Sequence, residues 1–312
     1  MKIKKLLGIA LGAVAFTLAS CGSKELTVAA PNGAPAIALA SVAGVKGEDN
    51  NYTLASNYEL VDAEAIASVL TKGEKDLVIA PVNAGAKLYK AGKSKYKLAA
   101  VVTWGNLAFA SQKENFTIQD ITKDNLILFG KESINASIAD YVLKANNINI
   151  TNSKEEYNYK VTAADTRDEL LKNPDAIVLS AEPAITAAKL QKSNITSIDV
   201  QALYKEATGK SGYTQAGLFV NPNSNTEKVN ELINKIKTSA LDTKNDLDKV
   251  AKISVDLKIL PKEAVAKKAI PLCNINFVKA IDAKSEIEAN AQIDMTQFGG
   301  ALPADDFYYS EF

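Results

Sequence analysis

An α/β fold built around parallel strands is what the sequence predicts, and three features of its 312 residues point there. Apolar runs of strand length alternate with stretches of helical spacing. Two such series follow one another, and a single apolar strand and a tail of helices come after them. Within residues 77–109 (LVIAPVNAGAKLYKAGKSKYKLAAVVTWGNLAF), two apolar runs each end in a polar, glycine-containing turn, Asn83-Ala84-Gly85 and Trp104-Gly105-Asn106. A strand buried on both faces reads as a continuous apolar run, and ligands of open α/β sheets collect beyond the carboxyl ends of such strands.

Composition narrows the function classes. With 47% hydrophobic and 23% charged residues the chain has enough apolar content for a folded domain or two lobes, which excludes disordered and collagen-like classes. Residues 1–20 read as a leader, with Lys2, Lys4 and Lys5 as a basic start and 6–16 as an apolar core too short to span a bilayer. Leu18-Ala19-Ser20-Cys21 then resembles a bacterial lipobox, in which the cysteine is acylated and becomes the first mature residue. Losing the three lysines leaves 33 basic against 36 acidic residues, a net charge of −3. With no basic run, nucleic-acid binding is set aside.

In chain order, 21–25 is a tether and 25–30 a first strand. Pro31-Asn32-Gly33-Ala34-Pro35 then opens a helix, since proline suits a first helical turn, and places Asn32 to Ala34 at the sheet edge. A second strand is expected over 52–61 with a break at Ser56-Asn57, then a helix capped by Asp62 and ended by Gly73, then a third strand over 76–80. The second series has a short helix at 118–121, a strand at 125–129, a helix at 134–145, a strand at 157–163, a helix from Thr166, a strand at 176–180 and a helix near Glu182-Pro183. Residues 216–220 form an isolated strand. After it helices are expected over 227–240, 247–253 and 282–295, with hinge crossings near 107–111 and 213–217.

Chemistry is sparse. There is no histidine, and with Cys21 lipidated Cys273 has no disulfide partner and reads as a small buried hydrophobe. Arg167, the only arginine, lies beside Asp168 and Glu169 in DTRDELLK and reads as a solvated local pair rather than an anion clamp. Without that clamp, a neutral or heterocyclic solute is slightly favoured over a sulfonate. Asp305-Asp306 lacks the spaced third ligand of a metal site and reads as surface, with Phe307, Tyr308 and Tyr309 packing the C-terminus down. Trp104, the only tryptophan, reads either as a packing residue or as a platform for a planar or cationic ligand. Its strand-end position leads to the expectation that Trp104→Ala weakens binding more than folding.

The segments APNGAPAIALA (30–40), LTKGEKDLVIAPVNAGAKLY (70–89), VVTWGNL (101–107), SAEPA (180–184), TQAGLFVN (214–221), AIPLCNINFVKA (269–280) and GGALPADDFYY (299–309) together resemble the substrate-binding lipoproteins of ABC importers, in the nitrate, sulfonate, taurine or thiamine-precursor group. The resemblance implies a two-lobe periplasmic-binding-protein fold of type II, with two hinge crossovers and a ligand cleft between lobes formed by 26–109 with 215–312 and by 110–214. It implies ligand contacts from Asn32, Gly33, Ala34, Asn83, Ala84, Thr103, Trp104 and Asn106 on the first lobe and Ser133, Asn135, Glu182 and Gln215 on the second. It also implies a monomer on the extracytoplasmic face, periplasmic or on the outer surface, held to the membrane by lipid on Cys21, delivering a small solute to ABC permease subunits. No cofactor, metal or covalent chemistry is implied. An enzyme or a non-transport surface lipoprotein on the same fold is the alternative. Without histidine or another nucleophile and base set the enzyme has little to work with, and no repeat or stalk marks an adhesin.

Overall fold

The computed structural model describes residues 25–131, 133–149 and 158–312, so the expected leader and Cys21 lie outside the described residues. β1 (Val28–Pro31) is wholly buried, and Gly33, at a φ of 95° that glycine adopts without a Cβ penalty, turns the chain into α1 (Ala34–Ala38) and α2 (Ala40–Ala43). The single strand expected over 52–61 is two. β3 (Tyr52–Leu54) pairs with β2 (Gly44–Lys46) as a separate ribbon, while β4 (Tyr58–Val61) runs parallel to β1. They part at the polar break, where the Asn57 side chain donates to the Leu26 carbonyl at 2.8 Å. Asp62 makes no side-chain cap bond, and a 3-10 turn leads into α3 (Ile66–Lys72), which Gly73 ends in the left-handed region.

β5 (Leu77–Pro81) is followed immediately by α4 (Val82–Lys90), so Asn83-Ala84-Gly85 is the first turn of a helix and not a free turn. Glycine is required there by packing, since a Cβ on Gly85 would lie 2.2 Å from the Phe219 ring. β6 (Lys97–Trp104) and β7 (Leu107–Ser111) are buried almost throughout, as their apolar sequences dictate. The second series continues with β8 (Leu126–Phe129), α5 (Ile134–Ala145), β9 (Asn158–Lys160), α6 (Ala163–Lys172), β10 (Ile177–Ala181) and α7 (Ala184–Lys189). Two elements with no counterpart in the sequence reading come next, β11 (Thr196–Asp199) and α8 (Val200–Thr208), the helix capped by the Asp199 carboxylate. β12 (Thr214–Val220) precedes α9 (Thr226–Asn245), α10 (Leu247–Asp256) and α11 (Glu263–Ala269). The tail is not purely helical. β13 (Ile275–Lys279) comes before α12 (Lys284–Ile293) and pairs antiparallel with β6.

Among the described residues the strands form one sheet in the order β13-β6-β12-β5-β1-β4 and a second in the order β11-β7-β10-β8-β9, beside the small ribbon. β1, β4 and β5 are mutually parallel, as are β8, β9 and β10. The strands next to the sheet changes run antiparallel to their neighbours, which makes both sheets mixed. The chain passes from the first sheet to the second between Trp104 and Leu107 and returns ahead of Thr214. The two passages lie side by side. Gly105 N–H donates to the Tyr213 carbonyl at 2.9 Å, and Leu107 N–H to the Tyr213 hydroxyl at 3.2 Å. Trp104, Phe109, Tyr204, Tyr213 and Phe219 belong to one continuous core there. Away from the crossings α11 rests on α7 and α12 on α5, so the two lobes touch on either flank.

Candidate functional site

Both crossings leave their sheets at the ends of buried strands, and a cavity of about 650 Å3 lies there. Its walls come from both sheets. Trp104, Gly105 and Asn106 supply the first crossing, Ser211 the second, Asn276 and Val278 the outer strand of the first sheet, and Ser197 and Asp199 that of the second. A pocket of this size, with a few converging polar groups, fits a small molecule.

The cavity side chains are held by one another. The Trp104 ring is 7% exposed, and its Nε1–H donates to the Asn276 carbonyl at 2.9 Å. Asn274 Nδ2 donates to the Gly105 carbonyl at 3.0 Å. Gln201, in the first turn of α8, sets its carboxamide between the crossings. A Cβ on Gly105 would lie 2.0 Å from its Oε1 and 2.4 Å from the Tyr213 ring, and one on Gly212 2.2 Å from its Nε2, so the carboxamide sits close against both crossings. Asn106 Oδ1 and Gln201 Oε1 are fully buried without a hydrogen-bond partner.

Glu182, at the end of β10 and joined to Pro183 by a cis peptide bond, also lines the cavity. Burial pushes its carboxyl pKa up, against the hydrogen bonds from Thr186 and the charge of Lys189, which pull it down. Its Oε2 accepts the Thr186 N–H at 3.1 Å. Cys273 is fully buried and its thiol pKa is raised, first by burial and then by Glu182, so it is no thiolate nucleophile.

Of the residues expected to contact ligand, the structure thus brings Trp104, Asn106 and Glu182 together. Thr103 is buried, and its Oγ1 accepts the Ala216 N–H at 3.0 Å, stitching β6 to β12. Asn32 is exposed, and Gly33 and Ala34 open α1. Asn83, 4% exposed in α4, donates through Nδ2 to Gln297 Oε1 at 3.4 Å and leaves its Oδ1 without a partner, with Ala84 next to it half-buried. Ser133 caps α5, accepting from Asn135 N–H at 3.3 Å and donating to the Gly130 carbonyl at 2.6 Å, and Asn135 is half-buried. Gln215, expected on the second lobe, is half-buried on β12 of the first sheet. None of these nine lines the cavity.

The sequence reading missed Gln201, Lys205, Asn274, Asp282 and Glu286, all on the cavity wall. For the first two a signal was present: Asp199 before Val200, Leu203 and Tyr204, with Gly209 beyond, is a capped amphipathic helix. Arg167 lies away from the cavity, with Nε and Nη2 both on Asp168 Oδ1, at 2.8 and 2.6 Å. Asp305 pairs with Lys284 at 2.5 Å, and Phe307, Tyr308 and Tyr309 are buried. Among the described residues no group of three or more His, Cys, Asp or Glu side chains is placed to hold a metal, and no helix is long and apolar enough to cross a membrane.

No family model and no curated protein matches the sequence. Solved structures match the fold. The chain is similar to an ABC transporter from Parabacteroides distasonis, with 20% identity, a TM-score of 0.74, and 92% of this chain and 99% of that one covered. It is similar to the periplasmic aliphatic sulphonate binding protein of Escherichia coli at 13% identity and a TM-score of 0.65, covering 92% of each chain. The alkanesulfonate-binding protein of Xanthomonas axonopodis pv. citri, bound to MOPS, matches at 14% and 0.65, covering 91% of this chain and 98% of that one. The architecture is the two-lobe periplasmic-binding-protein fold. Identities this low carry the fold and leave the ligand to be argued from the site.

Proposed function

We propose that this chain is the extracytoplasmic solute-binding receptor of an ABC importer, a binding protein and not an enzyme, which captures a small solute by hinge closure and passes it to permease subunits. The observation that carries the reading is the cavity walled by both sheets at two adjacent crossings. A solute bound there touches both lobes, so it stabilises the closed arrangement by its differential contacts. The structural neighbours named for ABC transport and sulfonate binding support the same role. The lobes in this reading are 26–109 with 215–312 and 110–214, and the solute meets Trp104, Asn106 and Glu182 where they line the cavity. The protein acts as a monomer held to the membrane by lipid on Cys21 after loss of 1–20. Arg167, tied to Asp168, is not offered to an anion, and this favours a neutral or heterocyclic solute over a simple sulfonate.

Native mass spectrometry of the chain recovered from its own cells tests the reading. A one-to-one small-molecule adduct is expected, and a bare chain that also ignores every solute offered overturns it.

A further inference from the structure

We infer that the cavity at the crossings takes a small organic amine, charged at neutral pH and bound through its N–H donors. The inference rests on the receptor reading and names a cationic solute, where the missing anion clamp alone favoured a neutral or heterocyclic one. Several donors of the cavity wall are already engaged. Four of its donors are spent inside the protein: Trp104 Nε1–H on the Asn276 carbonyl, Asn274 Nδ2 on the Gly105 carbonyl, Lys189 Nζ on Ser197 Oγ at 2.7 Å and Ser211 Oγ on Glu286 Oε1 at 3.1 Å. Asn106 Oδ1 and Gln201 Oε1 are unpartnered, but both are fully buried and are not counted among the groups offered to a ligand.

Charge points the same way. Four carboxylates line the cavity, Glu182, Asp199, Asp282 and Glu286, against two lysines, Lys189 and Lys205. Asp199 also caps α8, accepting the Gln201 N–H at 2.8 Å. The Trp104 ring adds an aromatic wall that tolerates a cation. An anion meets a surplus of negative charge there, four carboxylates against two lysines.

Calorimetric titration with 1,4-diaminobutane, agmatine and ethanolamine, with 1,4-butanediol and methanesulfonate as uncharged and anionic comparisons, tests the inference. At least one amine is expected to bind one to one and the two comparisons not at all. The Asp282→Asn, Glu286→Gln double variant changes side chains at or near the surface and is expected to fold normally, weakening the amine about tenfold or more, as loss of charge-assisted hydrogen bonds does. Lys205→Gln is expected to tighten it. If methanesulfonate or butanediol binds and the amines do not, or if amine affinity is the same in all three proteins, the amine is wrong and the receptor stands. If no solute of any class binds, both readings fall.

Discussion

Glu182 feels two opposed effects of its burial. Its raised pKa means that, between the ordinary carboxylate range and its own value, the folded chain holds a proton the unfolded chain has released. Stability is therefore greatest below that window and falls as pH rises through it. Glu182→Gln is expected to raise the melting temperature at pH 7 and flatten that part of the pH–stability profile, while weakening the amine. A variant that loses both stability and binding would mean that the carboxylate is chiefly a structural partner of Thr186. Trp104, left by the sequence between packing residue and platform, belongs to the same scale. At 7% exposure, with its N–H engaged, it is a core residue that also lines the cavity, so Trp104→Ala takes folding and binding together. Denaturant unfolding is expected to show a loss of about 3–5 kcal/mol. A loss below about 1 kcal/mol with affinity abolished would restore the reading of Trp104 as a mere platform.

At the scale of elements, α4 shows how local sequence and packing disagree. Asn-Ala-Gly reads as a turn, yet all three residues are helical, and position 85 is glycine because the Phe219 ring of β12 occupies the space a side chain would need. Glycine to alanine in a helix interior gains about 1 kcal/mol in propensity, whereas forcing a methyl into a packed core costs about 1–3 kcal/mol. Gly85→Ala is expected to destabilise, read as a lower urea midpoint at unchanged slope. A higher midpoint would show that Phe219 moves aside freely. The buried strands β5, β6, β8 and β10 were legible because burial on both faces writes a continuous apolar run. β13 was not, because INFVK alternates at a sheet edge and half of it faces out. β11 and α8 were hidden by the polar run before them, although the Asp199 cap stood in plain sequence. For the site, the strand-end turn Trp104-Gly105-Asn106 could be read directly, and Glu182 came through the resemblance. Asp282 and Glu286 could not be read, since they come to the cavity from separate elements that only the topology of the crossings brings together.

At the scale of the molecule, the two crossings, the Gln201 carboxamide wedged between them and the cavity behind them form one unit. Contacts such as Ser137 Oγ to Asp294 Oδ2 at 2.7 Å and Lys210 Nζ to Ser285 Oγ at 2.8 Å hold the flanks together. A ligand that adds contacts to both walls shifts the molecule toward this arrangement by mass action, about 2.7 kcal/mol at a hundredfold excess over its dissociation constant. The central claim is therefore that a small solute completes the protein, and native mass spectrometry of the chain taken gently from its own cells tests it most directly. The account expects a single species carrying one small basic molecule per chain, which is released when the lobes are unfolded. A chain that arrives empty, and stays empty when amines, neutral heterocycles and sulfonates are added back, would contradict it.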